Sequence, residues 1–407
     1  MYHICIANLS GFYQDGILQQ INSKSVQPVA EKALKRPLFR LGLDCFSFNL
    51  LYHETRFRKD YKTIKKMTQK KALITLSTIS AFILALLILL PIFVMSLFWG
   101  QRYYQYQHSP ATFGVEALRI TLTTYDGLDL AAWRTHAVTE MQRGTVIIVS
   151  GLQEPSVTAF FGYANMLAQN GWDALLIEKR ARSLSQGDEI GFGITEWQDV
   201  KAGVYYLNAD ERAGHLPIVA MGTSAGGATV IIAGGEVPRI DGVIAISAYS
   251  NFTSLYVDGI SMMGLPRFVG VITTPIVHLR MRLRFGHDAT SHTPENGIAK
   301  LGQRPILLMH STNDRQVLFS HFERLRQTAD DNNINFTTFV REGDWHFVCY
   351  DWYITNPARD IKFTAAIIAF LDDIYFKNLA HGLYHTPTTN PQAQQIQPAA
   401  QQTIQTP

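Results

Sequence analysis

The sequence predicts an α/β domain, a mostly parallel sheet covered by helices on both faces with a small cap insertion, behind one N-terminal transmembrane helix. Three observations predict it. Short apolar runs alternate with helical stretches across residues 115–376. An uncharged apolar run occupies residues 73–98. Between an apolar strand-like run at 217–221 and a helix-forming run at 228–233 lies Gly222-Thr223-Ser224-Ala225-Gly226-Gly227. Strand, Gly-x-Ser-x-Gly, helix is the pattern of a nucleophile elbow. A serine on so sharp a turn projects its hydroxyl beyond the sheet, and Gly222 and Gly226 remove side chains that would strike the neighbouring strand or helix.

The chain has 407 residues, enough for one large domain with appendages, and is 47% hydrophobic but only 17% charged. A net charge of +3 is too small for a nucleic-acid binder. Of Cys5, Cys45 and Cys349 only the last falls within 115–376, so that region holds no internal disulfide and Cys349 reads as an idle thiol.

Residues 1–71 form a basic segment, and 1–66 show no sustained period. They are expected to be a disordered cytoplasmic tail or an upstream extension outside the native protein. Residues 72–99 are the transmembrane helix: as a helix, 73–98 exceed the roughly 30 Å of a hydrocarbon core. Pro91 is tolerable there. The run is too long for a signal-peptide core, and no small-x-small cleavage site follows it. Trp99, Tyr103, Tyr104 and Tyr106 are expected to form an interfacial aromatic belt. Eight Lys or Arg lie between Arg56 and Lys71, against Arg102 alone between the run and Arg119. The positive-inside rule therefore predicts a cytoplasmic N-terminus and a catalytic domain outside the cytoplasm, periplasmic in a bacterium.

After a linker at 100–114, residues 119–124 and 128–134 read as a hairpin about Asp126-Gly127. Strands are expected at 144–149, 173–177, 217–221, 242–247, 305–310 and 335–340, their continuous apolar character marking parallel strands covered on both faces. Helices are expected at 157–169, 194–208, after Ser224, at 317–328 and at 360–371. Residues 253–303 interrupt the alternation and read as the cap. The tail, 377–407, is Gln- and Pro-rich and expected to be disordered.

A serine hydroxyl needs a histidine to take its proton and a carboxylate to orient that histidine. On sheets with this elbow the chain order is Ser, acid, His. Asp314 lies just past the strand 305–310 and is the acid. His346 lies between the last strand and the last helix and is the base. Asp344 is too near His346 to aim at it, and His321, inside the helix after Asp314, reads as a surface residue. The oxyanion donors are the backbone N–H of Ala225 and, from the turn after strand 144–149, of Leu152. Gln153, beside it, is a candidate substrate contact. No HExxH or CxxC spacing suggests a metal, and no cofactor is expected.

Across residues 115–376 the chain resembles the α/β-hydrolases, nearest the serine aminopeptidase-like group that includes membrane-anchored hydrolases. The resemblance rests on Ser150-Gly151, on Glu178-Lys179-Arg180-Ala181-Arg182-Ser183, on the elbow at Ser224, on RPILLMHSTNDRQV around Asp314 and on GDWHF around His346. It implies a Ser-Asp-His hydrolase without a cofactor. Relatives carry His-Gly where this chain has Ser150-Gly151, and Asp-x-Arg-Gly-x-Gly-x-Ser where it has Glu178 and neither glycine. The expected activity is hydrolysis of an ester or related acyl bond, on a small-molecule or lipid-derived substrate. The alternatives are amide or peptide hydrolysis and an inactive, membrane-tethered binding module.

Overall fold

The computed structural model describes residues 37–100, 107–152, 154 and 156–380, with side chains from residue 51 onward except at 97 and 98. Gln153, Tyr103, Tyr104, Tyr106 and the tail from 381 therefore lie outside the described residues. Residues up to Leu84 form one unit and those from Ala85 a second.

One helix, α1 (Pro37–Trp99), runs from the basic segment through the apolar one. It contains a stretch, Leu51–Ser96, long and apolar enough to cross a membrane, with mean hydropathy 2.7 in its best window. From residue 37 onward the basic segment is helical and continuous with the apolar run. Once an apolar helix is nucleated, each added residue costs little. Side chains one turn apart support the extension, as in the Arg58–Glu54 pair and the Thr63 hydroxyl donating to the Lys59 carbonyl.

The second unit is built on an eight-stranded sheet: β1 (Leu118–Thr123), β2 (Asp129–Thr135), β3 (Gly144–Val149), β4 (Trp172–Ile177), β5 (Ile218–Thr223), β6 (Gly242–Ile246), β7 (Ile306–Ser311) and β8 (Phe336–Arg341). The spatial order is β1-β2-β4-β3-β5-β6-β7-β8. The first two pairings, β1 with β2 and β2 with β4, are antiparallel and the rest parallel. Alternate residues of the central strands enter two different cores. Ile147, Val149 and Ala220 pack against α3 (Trp197–Asn208), α4 (Ala225–Glu236) and α8 (Phe319–Asp331). Ile148, Val219 and Met221 pack on the other face against α2 (Phe161–Gln169) and α9 (Ile361–Ala380). The period-2 switch of faces explains why these strands read as unbroken apolar runs.

Register aligns the carboxyl ends: Val149 opposes Gly222, Thr223 opposes Ile246, and Ile246 opposes Met309. Loops leaving β3, β5, β7 and β8 therefore open on one edge of the sheet. Between β6 and β7 the chain forms α5 (Phe252–Met262), α6 (Arg267–Phe285) and α7 (Pro294–Ala299). Asn251 caps α5 by accepting from the Ser254 N–H. A third apolar cluster joins Tyr256, Val257, Ile260, Val277 and Met281 of these helices to Ala225 and Ala228 of α4.

Candidate active site

Ser224 sits between β5 and α4 at φ 53°, ψ −121°. That conformation is strained for a residue with a side chain. It is held by the neighbouring strand, because the Ser224 N–H donates to the Ile246 carbonyl at 2.7 Å. The two flanking glycines are required by space. A β-carbon on Gly222 would lie 2.3 Å from the Gly226 carbonyl oxygen, and one on Gly226 would lie 2.5 Å from that of Val149. Ser224 is half-buried, while the residues on either side of it in the turn are buried.

Asp314 and His346 are brought into direct contact by the loops after β7 and β8. The loops are stitched together: Thr312 N–H donates to Arg341 O, Asn313 N–H to Gly343 O, and the Ser311 hydroxyl to Trp345 O. His346 Nδ1 lies 2.8 Å from Asp314 Oδ2, while Asp314 Oδ1 accepts from the N–H groups of Gln316 and Val317. Burial pushes the Asp314 carboxyl up, but the His346 hydrogen bond and charge and the two backbone donors outweigh it, leaving the carboxyl below its usual range. An ionised Asp314 fixes the proton of His346 on Nδ1 and leaves Nε2 as the acceptor. Farther along the loop, β-branched Val348 is held at φ 63°. Arg341, on β8, grips Asp360 with two hydrogen bonds of 2.7 and 2.8 Å and fastens this loop to the start of α9.

The turn after β3 faces the elbow. A β-carbon on Gly151 would lie 3.1 Å from Ser224 Cβ and 2.9 Å from Glu154 Oε2. Ala225 opens α4, so its N–H belongs to the first turn, whose amides lack intrahelical partners. Leu152 lies on the facing turn and packs against the third cluster. This turn is braced by buried charge that sequence reasoning did not assign. Arg182 donates to the carbonyls of Leu152 at 2.8 Å and Glu154 at 2.5 Å. Glu178 accepts from the Ser156 hydroxyl at 2.5 Å and the Val157 N–H at 3.1 Å, and burial pushes its carboxyl above the usual range. Arg180 joins Asp199 and Asp126. Lys179 is pushed down to about 8 by burial, against the pull of Glu196. The stretch 178–183 was visible only as part of the family resemblance. Ala181 and Ser183, which stand where the resemblance leads one to expect glycine, keep a left-handed backbone at φ 57° and 43°.

Two expectations are corrected. His321 is fully buried, not on the surface: its Nδ1 lies 3.1 Å from both the N–H and the hydroxyl of Ser250, and its Nε2 lies 3.2 Å from Asp258 on α5. Burial, and then Arg324, holds its imidazole well below the usual histidine range. The helical period of α8 points it inward, and one polar residue on an apolar face carries no signal of its own. Trp99, expected in an interfacial belt, is buried against Phe285 with centroids 4.8 Å apart. An amphipathic ring at the end of an apolar helix packs as readily on protein as on headgroups when protein is nearer. Cys349 is fully buried, and burial pushes its thiol up to about 12, which fits an unreactive role.

Residues 191–377 match the model of the prolyl oligopeptidase family. No curated protein sequence matches the chain. Among solved structures, an esterase of Pyrococcus furiosus aligns with TM-score 0.52 and 19% identity over 67% of this chain and 97% of its own. An acylaminoacyl peptidase of Pyrococcus horikoshii aligns with TM-score 0.48 and 15% identity over 63% of this chain and 41% of its own. With the sheet order and the elbow, the esterase alignment makes the fold that of the α/β-hydrolases.

Proposed function

We propose that this α/β-hydrolase is a membrane-anchored serine hydrolase that cleaves an ester or related acyl bond. The supporting observation is His346 Nδ1 bonded at 2.8 Å to a buried Asp314, on the edge of the sheet from which Ser224 projects. Ser224 Oγ attacks the acyl carbonyl while its proton passes to His346 Nε2. The oxygen, now negative, is held by the N–H groups of Ala225 and Leu152, each donor being worth roughly 10²–10³ in rate. His346 returns the proton to the leaving group, and water then clears the acyl-enzyme by the same steps. Asp314 holds the imidazole in the required tautomer throughout.

The apolar part of α1 is the anchor, with the N-terminus cytoplasmic and the domain outside, as the basic flank requires. An enzyme tethered at a bilayer meets lipid-derived esters at high local concentration, which favours that substrate class. Peptide or amide hydrolysis is the second reading, favoured by the match to the prolyl oligopeptidase family.

A fluorophosphonate probe applied to the full chain in membranes tests the chemistry. Wild type labels, and Ser224→Ala loses labelling together with about 10⁶ of kcat. A folded wild type that does not label is the binding-module alternative. Turnover on acyl esters against aminoacyl amides separates the two enzymatic readings.

A further inference from the structure

The face of α6 turned away from its core is apolar. Phe268, Ile272, Leu279 and Leu283 recur at helical spacing on one stripe, and Phe268 and Leu283 are 63% and 78% exposed. The corner leading into the helix adds exposed Met263 and Leu265. The opposite face, with Gly270, Thr273, Val277 and Met281, is buried. A contiguous stripe of this kind marks an interaction surface.

We infer that this stripe lies in the interface of the bilayer that α1 crosses, so that the cap is a second, in-plane membrane contact. The inference rests on the anchor reading above. Three observations commit it to lipid. First, the helix that carries the stripe is fastened to the end of the anchor through its buried face: Val94, Met95 and Trp99 are buried in the same cluster as Val277 and Met281. Arg280 donates to the Ser96 hydroxyl at 2.9 Å and stacks over the Trp99 ring, and Ile190 N–H donates to Trp99 O. Second, the depth agrees. About 20 helical residues span a hydrocarbon core, so a span beginning at Leu73 ends near Ile92, just before the residues from Val94 to Trp99 that grip the cap. Third, arginines and no acidic residue lie between Met262 and His287. Arg267 and Arg284 pair with Asp258 and Glu189 from outside that stretch, and Arg282 reaches Thr290. An apolar stripe edged by arginine suits acyl chains beneath anionic phosphates. The buried face of the cap meets Ala225, so the same helices connect the lipid surface to the turn after Ser224.

Site-specific fluorescence on the full chain in phosphatidylcholine–phosphatidylglycerol nanodiscs tests this. With Cys5 and Cys45 replaced by serine, an environment-sensitive dye is attached at Phe268→Cys, Leu283→Cys, Phe82→Cys in the apolar run, or Thr337→Cys on the edge strand β8. Dyes at 268 and 283 are expected to be quenched at least about twofold by lipids spin-labelled near the headgroup, as an interfacial helix requires. The dye at 82 should be quenched by mid-chain labels, and that at 337 by neither. Quenching at 82 without quenching at 268 and 283 overturns the inference and leaves the anchor standing. No quenching at 82 overturns the anchor and the inference with it. Blue-shifted but unquenched dyes at 268 and 283 would mean a protein covers the stripe, which also overturns it, as would equal quenching at 337.

Discussion

The domain holds two sets of serine, histidine and aspartate. Asp314 and His346 meet at the carboxyl edge of the sheet from which Ser224 projects. Ser250, His321 and Asp258 meet between α8 and the cap, with Ser250 and His321 fully buried. The residue types match, yet only the first set has the surroundings of a catalyst. Ser224 is half-buried rather than sealed, strained onto a turn and beside helix-terminal amides. Ser250 is sealed, and its hydroxyl accepts from Arg324 at 2.9 Å. His321 Nδ1 is also faced by an Arg324 N–H at 2.8 Å, so its lone pair is engaged by fixed donors. The difference teaches that access and a place for developing charge decide function, while the same groups without them join the cap to the core.

The largest expected effect breaks this comparison directly. Asp314→Asn is expected to lower kcat by about 10⁴, because the imidazole is then held in the wrong tautomer. Asp258→Asn is expected to leave kcat within a few-fold while lowering stability by about 1–3 kcal/mol, the range for disturbing a buried polar contact. Parallel kinetics and urea titrations check both. A collapse of kcat in Asp258→Asn with stability intact would reverse the assignment.

Arg182 comes next, since it sharpens what the first set needs beyond its three side chains. Removing both carbonyl contacts in Arg182→Met frees the turn bearing Leu152. The expected cost is about 10² in kcat with a smaller change in KM, as for a lost oxyanion donor. Arg182→Lys, which lacks the planar fork, should recover only part of it. Equal losses in kcat for Arg182→Lys and Arg182→Met with unchanged unfolding would show that the fork geometry is what matters.

These two effects also divide what the sequence made legible. The elbow, Asp314 and His346 are written in local patterns: glycines excluded by backbone contacts of 2.3 and 2.5 Å, and polar residues just past apolar strands. The strands around them were legible because they are covered on both faces. The brace was not, because Arg182 acts on carbonyls 28 and 30 residues away, and no local pattern records a partner chosen by folding. His321 was misread because an amphipathic helix tolerates one inward polar residue whose partners, Ser250 and Asp258, lie far along the chain. The apolar part of α1 was legible by its missing charge, but its basic extension was not, since its described side chains from residue 51 to 71 are exposed.

The two histidines also separate by pH. His321 has a folded pKa depressed below its unfolded value, so the unfolded state binds the extra proton. Its contribution to stability is full above the unfolded value near 6.5 and is lost as pH falls below it. Asp314, also depressed, loses its contribution only as pH falls below the ordinary carboxylate range. Acid should therefore loosen the sealed set first. In His321→Gln the decline between pH 6.5 and 5 should flatten, a tenfold difference in proton affinity between folded and unfolded chain being worth about 1.4 kcal/mol. Urea midpoints at the two pH values measure it, and an unchanged slope would remove His321 as the cause.

The smallest effect concerns strain with and without a use. Ser224 and Ser183 are both left-handed, at φ 53° and 43°. The first is the nucleophile of the proposed mechanism, which requires its hydroxyl. The second stands where the resemblance leads one to expect glycine, and its side chain accepts a 3.3 Å hydrogen bond from Gln107. A left-handed residue with a β-carbon costs about 1–2 kcal/mol, and glycine gives part of that back through its looser unfolded chain. Ser183→Gly should therefore stabilise by about 0.5–1 kcal/mol, a rise of roughly 1–3 °C in Tm for a domain this size. Calorimetry measures the gain and turnover shows whether it is neutral. A stabilised but slower enzyme would mean that the strain beside Arg182 helps hold the turn carrying Leu152, and that the difference between the two serines is one of degree.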